Sequence, residues 1–138
     1  MQLGHLWCRN YNHLDPKRSM VVVASLLLAL VLGLAFTSAG FAKITEQPVM
    51  VKARTHLRVR PEVYRAIGVA EMLAAVGVIL GVVEALNWLG YVSAFGIMAL
   101  MVAAIVLHVT AEDEIVEIVP AAVLALLAFV YSAAVTAS

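Results

Sequence analysis

The sequence predicts an all-α integral membrane bundle of four transmembrane helices running up-down-up-down. Three observations carry that prediction. Apolar residues make up 64% of the 138 residues and charged residues only 13%, whereas a soluble domain carries roughly 25% charged residues to cover its surface. Mean hydropathy is +0.99. Four apolar runs, Met20–Ala42, Ile67–Leu86, Gly90–Val109 and Ile118–Thr136, each have about the 20 residues that a helix needs to cross a hydrocarbon core. Together they use the chain from 20 to 138 as one bundle, preceded by a polar tail over 1–19.

The tail is irregular by composition: Asn10-Tyr11-Asn12-His13 and Asp15-Pro16 argue against a continuous helix. Lys17-Arg18 followed by an apolar run and small residues invites comparison with a signal peptide. The run Met20–Ala42 exceeds the roughly 7–15 apolar residues of a cleaved leader, so the first span is expected to stay. On it, Ala29, Gly33, Thr37 and Gly40 recur at three- to four-residue spacing, a pattern that lets helix backbones approach in lipid. The connection from Ile44 to Ala66 holds Lys52, Arg54, Arg58, Arg60 and Arg65, with Pro48 and Pro61 bracketing its centre. A short interfacial amphipathic piece is one reading of it. A solvated basic loop that fixes topology is the favoured one.

The second span carries Glu71 about a turn inside it, Gly77 and Gly81 as a G-x-x-x-G pair, and Glu84 near its end, where it reaches toward the interface. Asn87-Trp88-Leu89-Gly90 reads as a tight turn, which makes spans two and three an antiparallel hairpin with Trp88 and Tyr91 at the lipid–water boundary. Met98 and Met101 are expected to face lipid or fill the core rather than bind a cofactor. The third connection, Thr110–Glu117, holds Glu112, Asp113, Glu114 and Glu117 and no cation, and Pro120 falls in the first turn of the fourth span.

Charge distribution excludes several classes of function. Formal net charge is zero and no Lys or Arg lies beyond Arg65, so no basic face for nucleic acid is expected. Cys8 is the single cysteine, which rules out an intrachain disulfide and a C-x-x-C redox pair. His5, His13 and His56 fall in polar segments, so a bis-histidine haem inside the bundle fails. A metal at His108 with Glu112 and Asp113 has weak spacing support, and no metal site is expected. The first connection, with Lys43, Lys52, Arg54, Arg58, Arg60 and Arg65, outweighs the tail's Arg9, Lys17 and Arg18. The positive-inside rule therefore puts the connections between spans one and two and between three and four in the cytoplasm.

One deduction survives either orientation. Lys43 ends the first span, Arg65 and Glu71 open the second, and His108 closes the third. Alternating directions bring all four to one membrane face, together with the acidic third connection. A carboxylate within a span, costing on the order of 2.5–3.5 kcal/mol on insertion scales, calls for a partner or a role. Glu71 either holds a proton or a polar ligand head, or pairs with Lys43 or Arg65. His108 is expected to be a hydrogen-bonded interfacial histidine.

These residues also carry a resemblance. Ala39-Gly40-Phe41-Ala42-Lys43 resembles the A-G-x-x-K close of the first span in DoxX-like membrane proteins. Arg65-Ala66-Ile67-Gly68-Val69-Ala70-Glu71 is similar to their R-x-I-G-x-x-E opening of the second, and His108 matches a third span ending in histidine. The resemblance covers roughly residues 20–136. It implies a four-helix bundle in a bacterial-type inner or plasma membrane; small-residue spacing gives Gly33, Gly40, Gly68, Gly77 and Gly81 as the helix-packing positions. It further implies association with quinone-linked oxidoreductase complexes, with quinone as a candidate ligand near Glu71; Glu71, Arg65, Lys43 and His108, read from their placement at one face, are the candidate ligand- or proton-binding residues. Lipid, other membrane subunits or a second copy are the expected partners. The expected function is an accessory or scaffold subunit of a redox assembly without independent catalysis; the alternatives are an assembly factor for another membrane protein and a carrier of a lipid-like ligand. Glu112-Asp113-Glu114 stands where such proteins often carry basic residues, which disfavours an anionic ligand at that connection.

Overall fold

The computed structural model describes residues 16–137, with side chains through Thr136. Expectations for His5, Cys8, Arg9, His13 and the rest of the tail before Pro16 lie outside the described residues. Among the described residues, five α-helices follow one another: α1 (Pro16–Ile44), α2 (Pro48–His56), α3 (Pro61–Leu80), α4 (Asn87–Thr110) and α5 (Ile115–Ala137), with a 3-10 turn at Glu84–Leu86 before α4. Four of them, all but α2, are long and apolar enough to cross a membrane. The spans pack in the ring order α1–α3–α4–α5, closest at α1–α3 and α4–α5, and α2 lies lightly against α1.

The interior is a narrow column. Leu32 and Phe36 of α1, Ala75 and Val78 of α3, Ala94 and Ile97 of α4, and Ala128, Tyr131 and Val135 of α5 form its buried centre. Met101 is buried in the same cluster and Met98 packs against it. Outward stand Leu30, Leu34, Leu73, Val76, Phe95, Val102, Leu126 and Phe129, large apolar side chains left exposed by the bundle. Water does not tolerate that much bare hydrocarbon on a monomer; lipid does.

Several boundaries differ from the sequence reading. Pro48–His56 is a helix within the connection expected to be a solvated loop: Pro48 sits at the start of α2 and Pro61 at the start of α3, where a missing N–H costs nothing. Because Pro61 starts α3, the second span begins and ends earlier than the apolar run Ile67–Leu86. Glu71 is consequently nearly three turns into the helix rather than about one. Glu84 leaves the span and lies exposed on the 3-10 turn. Residues 87–90 are the first turn of α4, and the reversal falls on Gly81–Leu86 instead. In the third connection, α5 starts at Ile115, so Pro120 lies in its second turn.

Three helices, α1, α2 and α4, end in the same way at one end of the molecule. Glu46, Arg58 and Glu112 adopt left-handed backbone conformations, with φ of 50°, 54° and 58°. After each, the next N–H returns to a helix carbonyl: Gln47 N to Ala42 O at 3.0 Å, Val59 N to Arg54 O at 3.1 Å, and Asp113 N to His108 O at 3.1 Å. This is the Schellman closure, which satisfies helix carbonyls that would otherwise be orphaned and usually uses glycine. Charged side chains stand there instead, so each termination places a polar group at the same face of the bundle.

Candidate functional site

The polar end of the bundle is organised around a glycine contact. Gly40 of α1 and Gly68 of α3 touch backbone to backbone: a Cβ on Gly40 would lie 2.6 Å from the Gly68 carbonyl oxygen, and one on Gly68 2.9 Å from that of Gly40. Lys43 is one turn beyond Gly40, toward the end of the bundle; Glu71 is one turn beyond Gly68, deeper in the membrane. Side chains on a helix lean toward its N-terminus. Lys43 therefore leans inward, Glu71 leans outward, and the two meet beside the glycines.

Lys43 Nζ donates to both Glu71 oxygens, at 2.8 and 2.7 Å. The Glu71 side chain is 4% exposed and that of Lys43 13%. The same ammonium stands 5.7 Å from the centre of the buried Tyr64 ring, within cation–π range. The Tyr64 hydroxyl reaches Met50 Sδ of α2 at 3.6 Å. Arg65, on α3 with Glu71, leans away from it toward the end of the bundle. It pairs instead with Glu46 at 3.0 Å, in an exposed bridge. Beside this group lies a tight recess between α2 and α3, lined by Lys43, Met50, Arg54, Tyr64 and Arg65. The Arg54 Nε is buried there without a hydrogen-bond partner.

His108 belongs to a separate cluster. Its Nδ1 is 2.7 Å from Asp113 Oδ2, and the other Asp113 oxygen is 2.5 Å from His56 Nε2. Since α4 ends at Thr110, Glu112 does not continue the helix and Asp113 takes the place opposite His108. Asp113 is 5% exposed at its side chain. Hydrogen bonds from His56 and then from His108 hold its carboxyl below the ordinary carboxylate range. His56 is the last residue of α2, so this bridge fastens α2 to the α4–α5 connection.

Of the packing glycines, Gly33 abuts the Ile79 side chain, Gly77 abuts Ser93, and Gly81 abuts the backbone of Gly90 and the Tyr131 hydroxyl. Tyr64, Arg54, His56 and Tyr131 escaped the sequence reading as site or packing groups. Proline at 48 and at 61 was the available signal for α2, and with it for His56. Nothing in the local sequence marks Tyr131, whose hydroxyl donates to Val78 O at 2.6 Å across the bundle.

No curated protein and no solved structure matches this chain at a significant level. A family model described as the DoxX-like family matches residues 23–130, a stretch that runs through all four spans and includes Lys43, Glu71, His108 and Asp113. With four membrane-length helices around that polar end, the chain is an integral membrane protein and belongs to the DoxX-like family.

Proposed function

We propose that this protein is an accessory or scaffold subunit of a quinone-linked membrane redox assembly, its polar end facing the cytoplasm. The observation that carries the reading is the buried, unpartnered Arg54 Nε in the recess beside Lys43, Tyr64 and Arg65. A buried donor without an acceptor costs about 1–3 kcal/mol, and a quinone carbonyl oxygen is an acceptor suited to a membrane-face recess. The recess is tight, so a ring enters only as α2 moves outward. Glu71 serves this site indirectly: it fixes the Lys43 ammonium against Tyr64.

The test is a native-membrane purification through a C-terminal tag, with mass spectrometry of proteins and small molecules together. Recovery of oxidoreductase subunits in fixed ratio, with quinone retained by the parent chain and lost in Arg54→Gln, is the expected result. A bare bundle carrying only bulk lipid overturns it. Glu71→Gln that leaves both partner recovery and quinone retention unchanged removes Glu71 from the proposal.

A second reading, an assembly factor for another membrane protein, is favoured by Gly96. A Cβ there would meet nothing within 4 Å, and Ala99 and Ala103 are exposed on the same face of α4. Under that reading Gly96→Leu folds normally and loses a single client protein, while Arg54→Gln retains it.

A further inference from the structure

The cluster at the end of α2 has donor chemistry that a proton-bridged contact does not require. His56, Asp113 and Glu117 come from α2, the α4–α5 connection and the first turn of α5, and one ligand atom from each lies within 4.8 Å of the others. They open on one cleft of about 450 Å³ between α2 and α5, with His108 in its wall. We propose that His56, Asp113 and Glu117 bind a divalent first-row transition cation of the zinc class, with His108 as a positioning residue.

Three features of the geometry support this. First, a tetrahedral ion with bonds near 2.0–2.2 Å sets its ligand atoms roughly 3.3–3.6 Å apart. His56 Nε2 and Asp113 Oδ1, now 2.5 Å apart, need to separate by about 1 Å as the cation replaces the proton between them. Glu117 is exposed, so its side chain can turn to close the longer distances. Second, one neutral imidazole and two carboxylates balance a dication. The mixed nitrogen and oxygen set suits zinc, cobalt or manganese better than calcium or magnesium, which take oxygen ligands. Third, the outer partner is already in place. His108 Nδ1 holds the second Asp113 oxygen at 2.7 Å, and such hydrogen bonds to ligating carboxylates orient them and raise metal affinity. The ion would fasten α2, which otherwise lies lightly against the bundle, to α5.

The inference stands apart from the quinone reading, since it uses neither Arg54 nor Glu71. The experiment uses the full chain in detergent, stripped with chelator and titrated with Zn²⁺ by calorimetry and with Co²⁺ by its visible absorption. One equivalent binds, thermal stability rises with Zn²⁺ concentration, and Mg²⁺ and Ca²⁺ do neither. Glu117→Gln, at an exposed position, and His56→Gln, checked for parental helix content by circular dichroism, each lower affinity at least tenfold. His108→Gln lowers it by about tenfold. The triple variant His5→Gln/Cys8→Ser/His13→Gln leaves it unchanged, which separates this site from ligands in the tail. Absence of Zn²⁺ binding at millimolar concentration overturns the proposal, as does binding that persists in the His56→Gln/Glu117→Gln double variant.

Discussion

The two ends of this bundle solve one problem by different means. Helices in lipid gain nothing from hydrophobic exclusion of their neighbours, so close backbone packing and polar contacts must hold them. At the polar end, Gly40 and Gly68 bring α1 and α3 together and the Lys43–Glu71 pair closes over the contact. At the opposite end, Gly81 and Gly90 bring α3 and α4 together, and the Tyr131 hydroxyl from α5 closes over them. The Tyr131 bond has a specific reason. In the last turn of α3, Gly77 O receives Gly81 N, Ile79 O receives Val82 N and Leu80 O receives Val83 N. Val78 O has no such backbone donor, and Tyr131 supplies one from across the bundle. A full charge pair thus does at one end what a neutral phenol does at the other. The ionic version brings polar chemistry with it, whereas the phenol brings only a fastening.

The strongest way to break the comparison is to deny either end its glycine. Gly81→Leu forces a side chain into the Gly90 backbone, and Gly40→Leu into the Gly68 carbonyl and Met72. Each is expected to cost at least the upper range of overpacking, about 3 kcal/mol or more, and to abolish a monodisperse helical species in detergent. Gly96→Leu is the control, since its Cβ meets open space, and it should elute and melt like the parent.

Next in size comes the charge pair. Lys43→Met leaves Glu71 buried without its partner, a change expected to cost about 3–5 kcal/mol, read as loss of thermal stability in detergent. The double variant Lys43→Met/Glu71→Leu replaces both charges with packing groups and should recover most of that loss. Failure of the double variant to recover would mean that the pair does more than close the helix contact. Tyr131→Phe then tests the neutral end. It strands one buried carbonyl and should cost about 1–3 kcal/mol. An effect as large as that of Lys43→Met would erase the distinction between the two ends.

The sequence exposed these two ends unequally. Four spans and one polar face follow from hydropathy and alternating direction alone, because burial in lipid writes itself into composition. Lys43 and Glu71 were legible as neighbours of one face, but the choice of Lys43 over Arg65 depends on the lean of side chains from antiparallel helices. Helix starts at Pro48 and Pro61 were written in the chain, yet the apolar run drew the second span away from Pro61. The helix ends at Glu46, Arg58 and Glu112 were not legible, since the left-handed position carries no glycine to mark it. His56 met Asp113 only through the placement of α2, across 57 residues. Tyr131 found Val78 O only because α3 stops at Leu80.

The smallest expected effect draws the edge of the ionic region. Arg65 and Glu46 form a bridge at 3.0 Å, but their side chains are 54% and 38% exposed. Solvent and salt screen such a pair, and holding two long side chains in one geometry offsets much of the attraction. Arg65→Gln should therefore change stability by less than about 1 kcal/mol, and the change should shrink further as salt is raised. Lys43→Met, by contrast, should be nearly insensitive to salt, because its partner is out of reach of mobile ions. Thermal melts of the two variants at low and high ionic strength separate the cases. If Arg65→Gln proves as damaging as Lys43→Met and as indifferent to salt, the boundary between a buried clasp and a solvated rim is misplaced. Arg65 would then act through the recess it shares with Arg54 and Tyr64 rather than through Glu46.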